Sequence, residues 1–213
     1  MRSLVIGASG GIGAAVAAAL AARGEVVALS RAANGLDVTD EARVAEALAA
    51  FDGAFDMVFV ATGALGQPEK TLKAFDAGAF AAQVALNAAG PMLVLKHALR
   101  LMPRDRRSTF AALSARVGSI GDNRLGGWYS YRASKAALNQ LLHTAAVEVA
   151  RSHPQAVVAA LHPGTVATRF TAGYAADKLA PEAAARRLLA VLDGLGPEDS
   201  GGFFDHRGEA VPW

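Results

Sequence analysis

The chain is expected to adopt an α/β fold, a doubly wound parallel sheet of about seven strands with helices on both faces. Three observations lead there. Short β-branched or apolar runs alternate with longer stretches rich in alanine and leucine, the pattern of repeated βα units. A glycine-rich turn, G7-A-S-G-G-I-G13, separates the first apolar run from the first alanine-rich one. No linker or internal repeat interrupts the alternation, so the 213 residues read as one domain spanning 1–213, long enough to bury a core without disulfides or metals.

Strands are expected at residues 3–6, 26–30, 57–61, 109–114, 157–161 and 202–204, with a short one at 36–38. Helices are expected at residues 11–23, 40–51, 75–102, 130–152 and 181–192. In the second of these, Val44, Leu48 and Phe51 recur at helical spacing, and Asp40 or Thr39 is placed to cap it. Pro154 closes the long fourth helix, and Pro163 follows the buried-looking run Q155-A-V-V-A-A-L-H162.

Composition excludes several classes. There is no cysteine, hence no disulfide framework, thiolate metal site or cysteine nucleophile. The net charge of +2 and a pI near 9.1 give no basic stripe of the kind nucleic acid needs. The histidines at 97, 143, 153 and 206 are scattered, and His162 precedes a proline turn without an acidic cluster, so no metal spacing emerges. The apolar start M1-R-S-L-V-I is broken at once by the glycines, and no segment offers about 18–20 uninterrupted apolar residues. These features lead us to expect a soluble cytoplasmic protein without nucleic-acid or membrane partners. The arginine-rich segment M102-P-R-D-R-R107 reads as a solvated loop.

The glycine turn stands where such a turn carries meaning, between a first strand and a first helix. Without side chains its amides can approach a phosphate closely, and the helix N-terminus adds partial positive charge; a dinucleotide pyrophosphate would fit. The second strand ends V26-V-A-L-S-R31, where an NAD-selective site would place a carboxylate for the ribose hydroxyls. Ser30 and Arg31 stand there instead. A guanidinium suits the additional 2′-phosphate of NADP, so NADP(H) is the expected cofactor, with NAD(H) the alternative.

Later in the chain, Y129-S-Y-R-A-S-K-A-A-L-N139 places Tyr131 and Lys135 four residues apart, on one helix face, whereas Tyr129 meets Ala133 at that offset. Taken alone, an amphipathic helix with a half-buried ring and a snorkelling lysine would explain the pair. Together with the glycine loop, however, the residues resemble the short-chain dehydrogenase/reductase family. Gly7, Gly11 and Gly13 fit its G-x-x-x-G-x-G pattern, and Tyr131 with Lys135 its Y-x-x-x-K. D37-V38, V60-A-T-G63 and H162-P-G-T-V-A-T168 follow in the family's order. The V117-G-S-I120 and Y131-R-A-S-K135 phrasing is similar to the compact branch holding C-factor-like and carbonyl-reductase-like proteins, some implicated in cell signalling.

The resemblance implies a Rossmann-type sheet and an NAD(P)-dependent oxidoreductase that interconverts a carbonyl and an alcohol. It implies cofactor contacts from Gly7, Ser9, Gly11, Ile12 and Gly13, from Ser30, Arg31, Asp37 and Val38 on the adenosine side, and from Ala61, Thr62 and Gly63, where the family's asparagines are absent. Pro163, Gly164, Val166 and Thr168 would pass the nicotinamide, and Tyr131 and Lys135 would also touch the cofactor. Catalysis would fall to Tyr131 as proton donor, Lys135 as its tuner, Asn87 as anchor of a proton relay and Ser114 as the group polarising the carbonyl. The family's serine pattern, aligned on Gly118, puts Ala115 at the active position; Ser114 is the neighbouring hydroxyl and Ser119 the substitute. Trp128, Phe170 and Tyr174 are expected to wall a substrate pocket, with Tyr129 beside them and the tail from Gly201 to Trp213 folded over it. The apolar continuation of the helix past Lys135 suggests a homodimer or homotetramer. Two other readings remain open on these residues: a non-enzymatic NADP-binding sensor, which Ala115 favours, and a sugar-nucleotide epimerase, since Gly7, Gly10 and Gly13 also satisfy G-x-x-G-x-x-G.

Overall fold

In the computed structural model, which describes residues 1–173, 175 and 177–213, six parallel strands form one sheet. In chain order the elements are β1 (Arg2–Ile6), α1 (Gly11–Ala21), β2 (Glu25–Leu29), α2 (Arg31–Asn34), α3 (Glu41–Ala49), β3 (Met57–Val60), α4 (Ala77–Val84), α5 (Gly90–Ala98), β4 (Ser108–Leu113), α6 (Tyr129–Val149), β5 (Ala156–His162), α7 (Pro181–Gly194) and β6 (Phe203–Asp205). The strand order is β2-β1-β3-β4-β5-β6. Register aligns Ile6 with Val60, Val60 with Ala112, and Leu113 with Leu161, so the loops after β1, β3, β4 and β5 open along one edge. Strand order reverses beside β1, which places a crevice at the carboxyl ends of β1 and β3.

The two faces of the sheet are sealed by separate apolar clusters. On one face, Val16 and Leu20 of α1 and Leu188, Leu189 and Leu192 of α7 cover Val5, Phe59, Ala111 and Ala159. On the other, Val44 and Leu48 of α3, Val94 and Leu95 of α5, and Leu138 and Leu142 of α6 cover Leu4, Val58, Phe110 and Val158. The inner strands β1, β3, β4 and β5 are buried on both faces, which is why they read as continuous apolar runs rather than alternating ones.

Six strands form where seven are expected. Residues 36–38 make no ladder, although Leu36 and Val38 are buried. The segment leaves α2 through Gly35 in the left-handed region (φ +68°), and Val38 packs against Gly90 at the start of α5 instead of pairing with β2. Asp40 caps α3, accepting from the amides of Ala42 and Arg43 at 3.0 and 3.2 Å.

The long helix expected over residues 75–102 is one apolar run interrupted at its centre. Ala77–Leu101 is long and apolar enough to cross a bilayer by length and mean hydropathy (1.4). Its Ala88, Val94, Leu95 and Ala98 are nevertheless committed to the sheet, and Asn87 at its middle is fully buried in a polar network. A π-turn over Ala85–Ala89 carries that asparagine. In α6, Leu138, Leu142 and Ala146 face this same core, while Leu141 and Val147 are exposed. Within the segment expected to be a solvated loop, Arg107 donates to the carbonyls of Leu192 and Leu195 at 2.6 and 2.7 Å, satisfying acceptors at the end of α7.

Candidate active site

The turn after β1 is held by glycines for steric reasons. Gly7 has φ +86°, and a Cβ on Gly13 would lie 2.3 Å from the Gly7 carbonyl oxygen, so α1 can start this close to β1 only without that side chain. A cavity of about 620 Å³ opens above the turn. Ser9, Gly11, Ile12 and Gly13 line it, as do Ala61, Thr62 and Gly63 and, from the loop after β5, Pro163, Gly164, Val166 and Thr168. No Asp or Glu lies among the described residues of that lining, whereas Lys135, Arg116 and Arg169 do. A glycine cradle at a helix N-terminus, opening into a cavity without carboxylates, fits the diphosphate and nicotinamide half of a dinucleotide.

Gly7, Ser30, Arg31, Asp37 and Val38 lie outside this lining. Ser30 caps α2, its Oγ accepting from the amide of Ala33 at 3.1 Å, and the adjacent Arg31 is exposed. Asp37 is held below the usual carboxylate range by hydrogen bonds from the Thr39 hydroxyl and amide, with the Arg31 charge assisting. These residues stand at the β2 edge, where an adenosine would extend beyond the cavity.

Tyr131, Lys135 and Ser114 line the same cavity. Tyr131 sits in the first turn of α6, Lys135 one turn later, and both are buried. The Lys135 Nζ lies 5.9 Å from the Tyr131 ring centre and donates to the carbonyl of Leu113 at 2.8 Å. Burial pushes this ammonium down to about 7. Gly118 backs the helix here, since a Cβ would lie 2.8 Å from the Cβ of Lys135.

Asn87 approaches from the π-turn. Its Oδ1 accepts from the Ala64 amide and its Nδ2 donates to the Ala64 carbonyl, both at 2.9 Å; Nδ2 also donates to Ser134 Oγ at 3.1 Å. Ser134 donates in turn to the Tyr131 carbonyl at 2.8 Å. A Cβ built on Gly63 would lie 3.1 Å from Asn87 Oδ1 and 3.4 Å from Lys135 Nζ, so the amide and the ammonium converge on that glycine.

The serine region is arranged differently. Ser114 is buried at the end of β4 and donates to Asn139 Oδ1 at 2.6 Å. Ala115 also lines the cavity and brings no side-chain donor. Ser119 is buried outside the lining, its Oγ accepting from the Asp122 amide at 3.1 Å.

Trp128 and Phe170 flank the Tyr131 ring, with centre separations of 6.3 and 5.8 Å. Tyr174, expected beside them, lies outside the described residues. Tyr129 is exposed and does not line the cavity, because its position in the first turn of α6 points it off the face that Tyr131 occupies. Of the tail, His206 sits against Gly164 and His162 of the lining, and only the chain end takes another course. Trp213 stacks on Phe203 and packs against His143, with its carbonyl accepting from the Gly121 amide at 2.7 Å, so the chain end covers α6 and not the site.

Several residues of the site gave little signal in the sequence. Glu69, in the loop after β3, is buried, accepts from the Ser130 amide at 3.2 Å and from the Ser130 hydroxyl, and its carbonyl takes the Trp128 amide at 2.7 Å. Trp128, at φ +55°, contributes no side-chain cap, so the start of α6 is capped from a loop some sixty residues earlier. His162 lines the cavity 6.3 Å from His206, ring centre to ring centre, and is held down to about 4 by burial and by the facing imidazole. Asn139 alone had a legible cue, its spacing of four from Lys135.

The family model for short chain dehydrogenase matches residues 30–179. The chain belongs to the short-chain dehydrogenase family. Among its relatives, C-signal of Myxococcus xanthus is 40% identical over 129 residues, covering 60% of this chain and 75% of that protein. The 1-hydroxy-2-glutathionyl-2-methyl-3-butene dehydrogenase of a Rhodococcus species is 32% identical over 99% of this chain and 98% of its own. Among solved structures, an NADP-bound short-chain dehydrogenase/reductase from Burkholderia multivorans superimposes with a TM-score of 0.84 at 27% identity, over 100% of this chain and 99% of that one. As a short-chain dehydrogenase, the protein is an oxidoreductase, and its α/β sheet is the family's.

Proposed function

We propose that this short-chain dehydrogenase interconverts a carbonyl and an alcohol with NADP(H), using Tyr131 as the proton donor in reduction and the acceptor in oxidation. The observation that carries the reading is the meeting of Tyr131 and Lys135 with the glycine turn in one cavity. When bound, the nicotinamide cofactor supplies or accepts a hydride. As the carbonyl oxygen gains charge, the Tyr131 phenol gives it a proton. Free tyrosine titrates near 10, too high for ready exchange at neutral pH, and an adjacent ammonium favours its phenolate. Lys135 is suited to that work: with its own pKa pushed down to about 7, a phenolate forming beside it restores its charged state. The Leu113 carbonyl fixes where the ammonium stands.

Asn87 holds the Ala64 loop and Ser134, and with them the first turn of α6; a water carried at its carboxamide would link Lys135 to solvent. Ser114 is the hydroxyl nearest to the family's serine position and would polarise the carbonyl, provided its hydrogen is released from Asn139. Trp128 and Phe170 favour an apolar body on the substrate. NADP(H) is supported by Arg31 at the end of β2 and by the NADP in the Burkholderia multivorans relative.

The deciding experiment is NADPH oxidation across aldehydes, ketones and quinones. Turnover is expected with at least one class, and Tyr131→Phe should abolish it while NADPH still binds. A second reading, an NADP-binding sensor, is favoured by Ala115 and by the similarity to C-signal. NADPH binding with no Tyr131-dependent turnover would establish it.

A further inference from the structure

Tyr131, Lys135 and Asn139 follow one another at intervals of four along α6, each a turn further from the helix start, and all three are buried. The third has no place in the Y-x-x-x-K pattern. Asn139 is 2% exposed; its Oδ1 takes the Ser114 hydrogen at 2.6 Å, and its Nδ2 is buried without a partner. An orphaned buried N–H is rarer and costlier than an under-satisfied carbonyl. Meanwhile Ser114 lines the cavity at the end of β4, Ala115 beside it has no side-chain donor, and Ser119 lies outside. As arranged, the serine hydroxyl at the end of β4 gives its hydrogen to Asn139.

We propose that Asn139 is a positioning residue that sets the direction in which Ser114 donates. A half-turn of its carboxamide about χ2 exchanges Oδ1 for Nδ2. Nδ2 then donates to Ser114 Oγ, the orphaned N–H is satisfied, and the serine hydrogen is released toward the carbonyl oxygen of a bound substrate. The exchanged carbonyl meets the wall of a second cavity of about 290 Å³, beneath Trp213, in which Asn139 takes part and which has room for water. The pair Ser114–Asn139 thereby stands in for the serine missing at position 115. An empty site keeps the donor turned away, and a substrate oxygen draws it in. The inference rests on the carbonyl-reducing reading of the site.

The test is turnover of benzaldehyde, cyclohexanone and menadione with NADPH by Asn139→Asp, Asn139→Leu, Ser114→Ala and the two double variants. The ionised carboxylate introduced by Asn139→Asp only accepts, and so locks the serine hydrogen. Asn139→Asp should therefore lose kcat on the order of 10²-fold, as when one donor to a developing oxyanion is removed. Asn139→Leu, which removes acceptor and donor together, should lose less. NADPH affinity should hold in both. The Asn139→Asp defect should shrink as pH falls through the pKa of the new carboxyl, since its protonated form donates again. On the Ser114→Ala background neither change should reduce kcat further.

A wild-type kcat in Asn139→Asp, or an equal loss on both backgrounds, would overturn the proposal. So would Asn139→Leu proving the worse variant. Should the carboxylate prevent folding, the Asn139→Leu cycle with Ser114→Ala decides alone, equal losses on the two backgrounds refuting it. Full activity in Ser114→Ala would also overturn it, by removing Ser114 from the reaction; no turnover by the wild type would instead remove the carbonyl-reducing reading on which the proposal rests.

Discussion

Lys135 Nζ donates to the main-chain carbonyl of Leu113 across 2.8 Å, tying the end of the second turn of α6 to the last residue of β4. That bond holds a buried ammonium where the cavity needs it, at a cost in stability. The folded-state pKa lies near 7, below the ordinary lysine value, so the unfolded chain binds a proton that the native one lacks over the interval between them.

Stability of the cofactor-free protein should accordingly rise with pH from about 7 toward the unfolded lysine value near 10.4. Lys135→Met should unfold at higher denaturant than the wild type. The gain should be largest at and below neutral pH and shrink toward pH ~10. Urea unfolding at several pH values checks the sign, and NADPH turnover in this variant should be lost.

The trans-cap on α6 makes a second prediction. Glu69→Ala removes the acceptor of the Ser130 amide and hydroxyl, and should cost about 1–2 kcal/mol of unfolding free energy. Burial pushes the Glu69 carboxyl up, but the hydrogen bonds it accepts, that of the Ser130 hydroxyl foremost, outweigh this and hold it below its usual range. Its contribution is present above the unfolded value and is lost as pH falls through the folded one. The wild type minus Glu69→Ala difference should therefore vanish in acid, as thermal unfolding across roughly pH 3–7 would reveal.

Asn87→Ala strips both main-chain partners from Ala64 and the donor from Ser134. Loss of about 1–3 kcal/mol is expected for the buried groups left unpaired. Turnover should fall further than NADPH affinity, because Ser134 bonds to the carbonyl of Tyr131. Equal losses in kcat and in cofactor binding would speak against this link.

Arg31 stands at the end of β2, exposed, with its neighbour Ser30 engaged in capping α2. Arg31→Ala should weaken NADPH roughly ten- to a hundredfold while leaving NADH nearly unchanged, the loss of one charge-assisted phosphate contact. Paired titrations of the two cofactors provide the measurement.

How much of this was legible beforehand depends on whether the signal was local. The glycine turn, the Tyr131–Lys135 interval and the cap at Asp40 are local, and each stands as the spacing required. The missing seventh strand shows the opposite case, because residues 36–38 were read as a strand while a ladder requires a partner that no pattern within those residues can supply. The course of the tail was unreadable for the same reason, its docking surface on α6 and β6 being assembled from separate parts of the chain.

The amino-acid sequence by itself determined the parallel α/β architecture, the glycine turn after β1 and the phenol–ammonium pair, because periodicity, glycine sterics and helical spacing act within a few residues. Only the tertiary structure decided that Glu69 caps α6, that His162 faces His206, and that the Ser114 hydroxyl is given to Asn139. Those contacts join residues far apart in the chain, and the hydrogen-bond demand of each buried group is met by whatever the packing brings within reach.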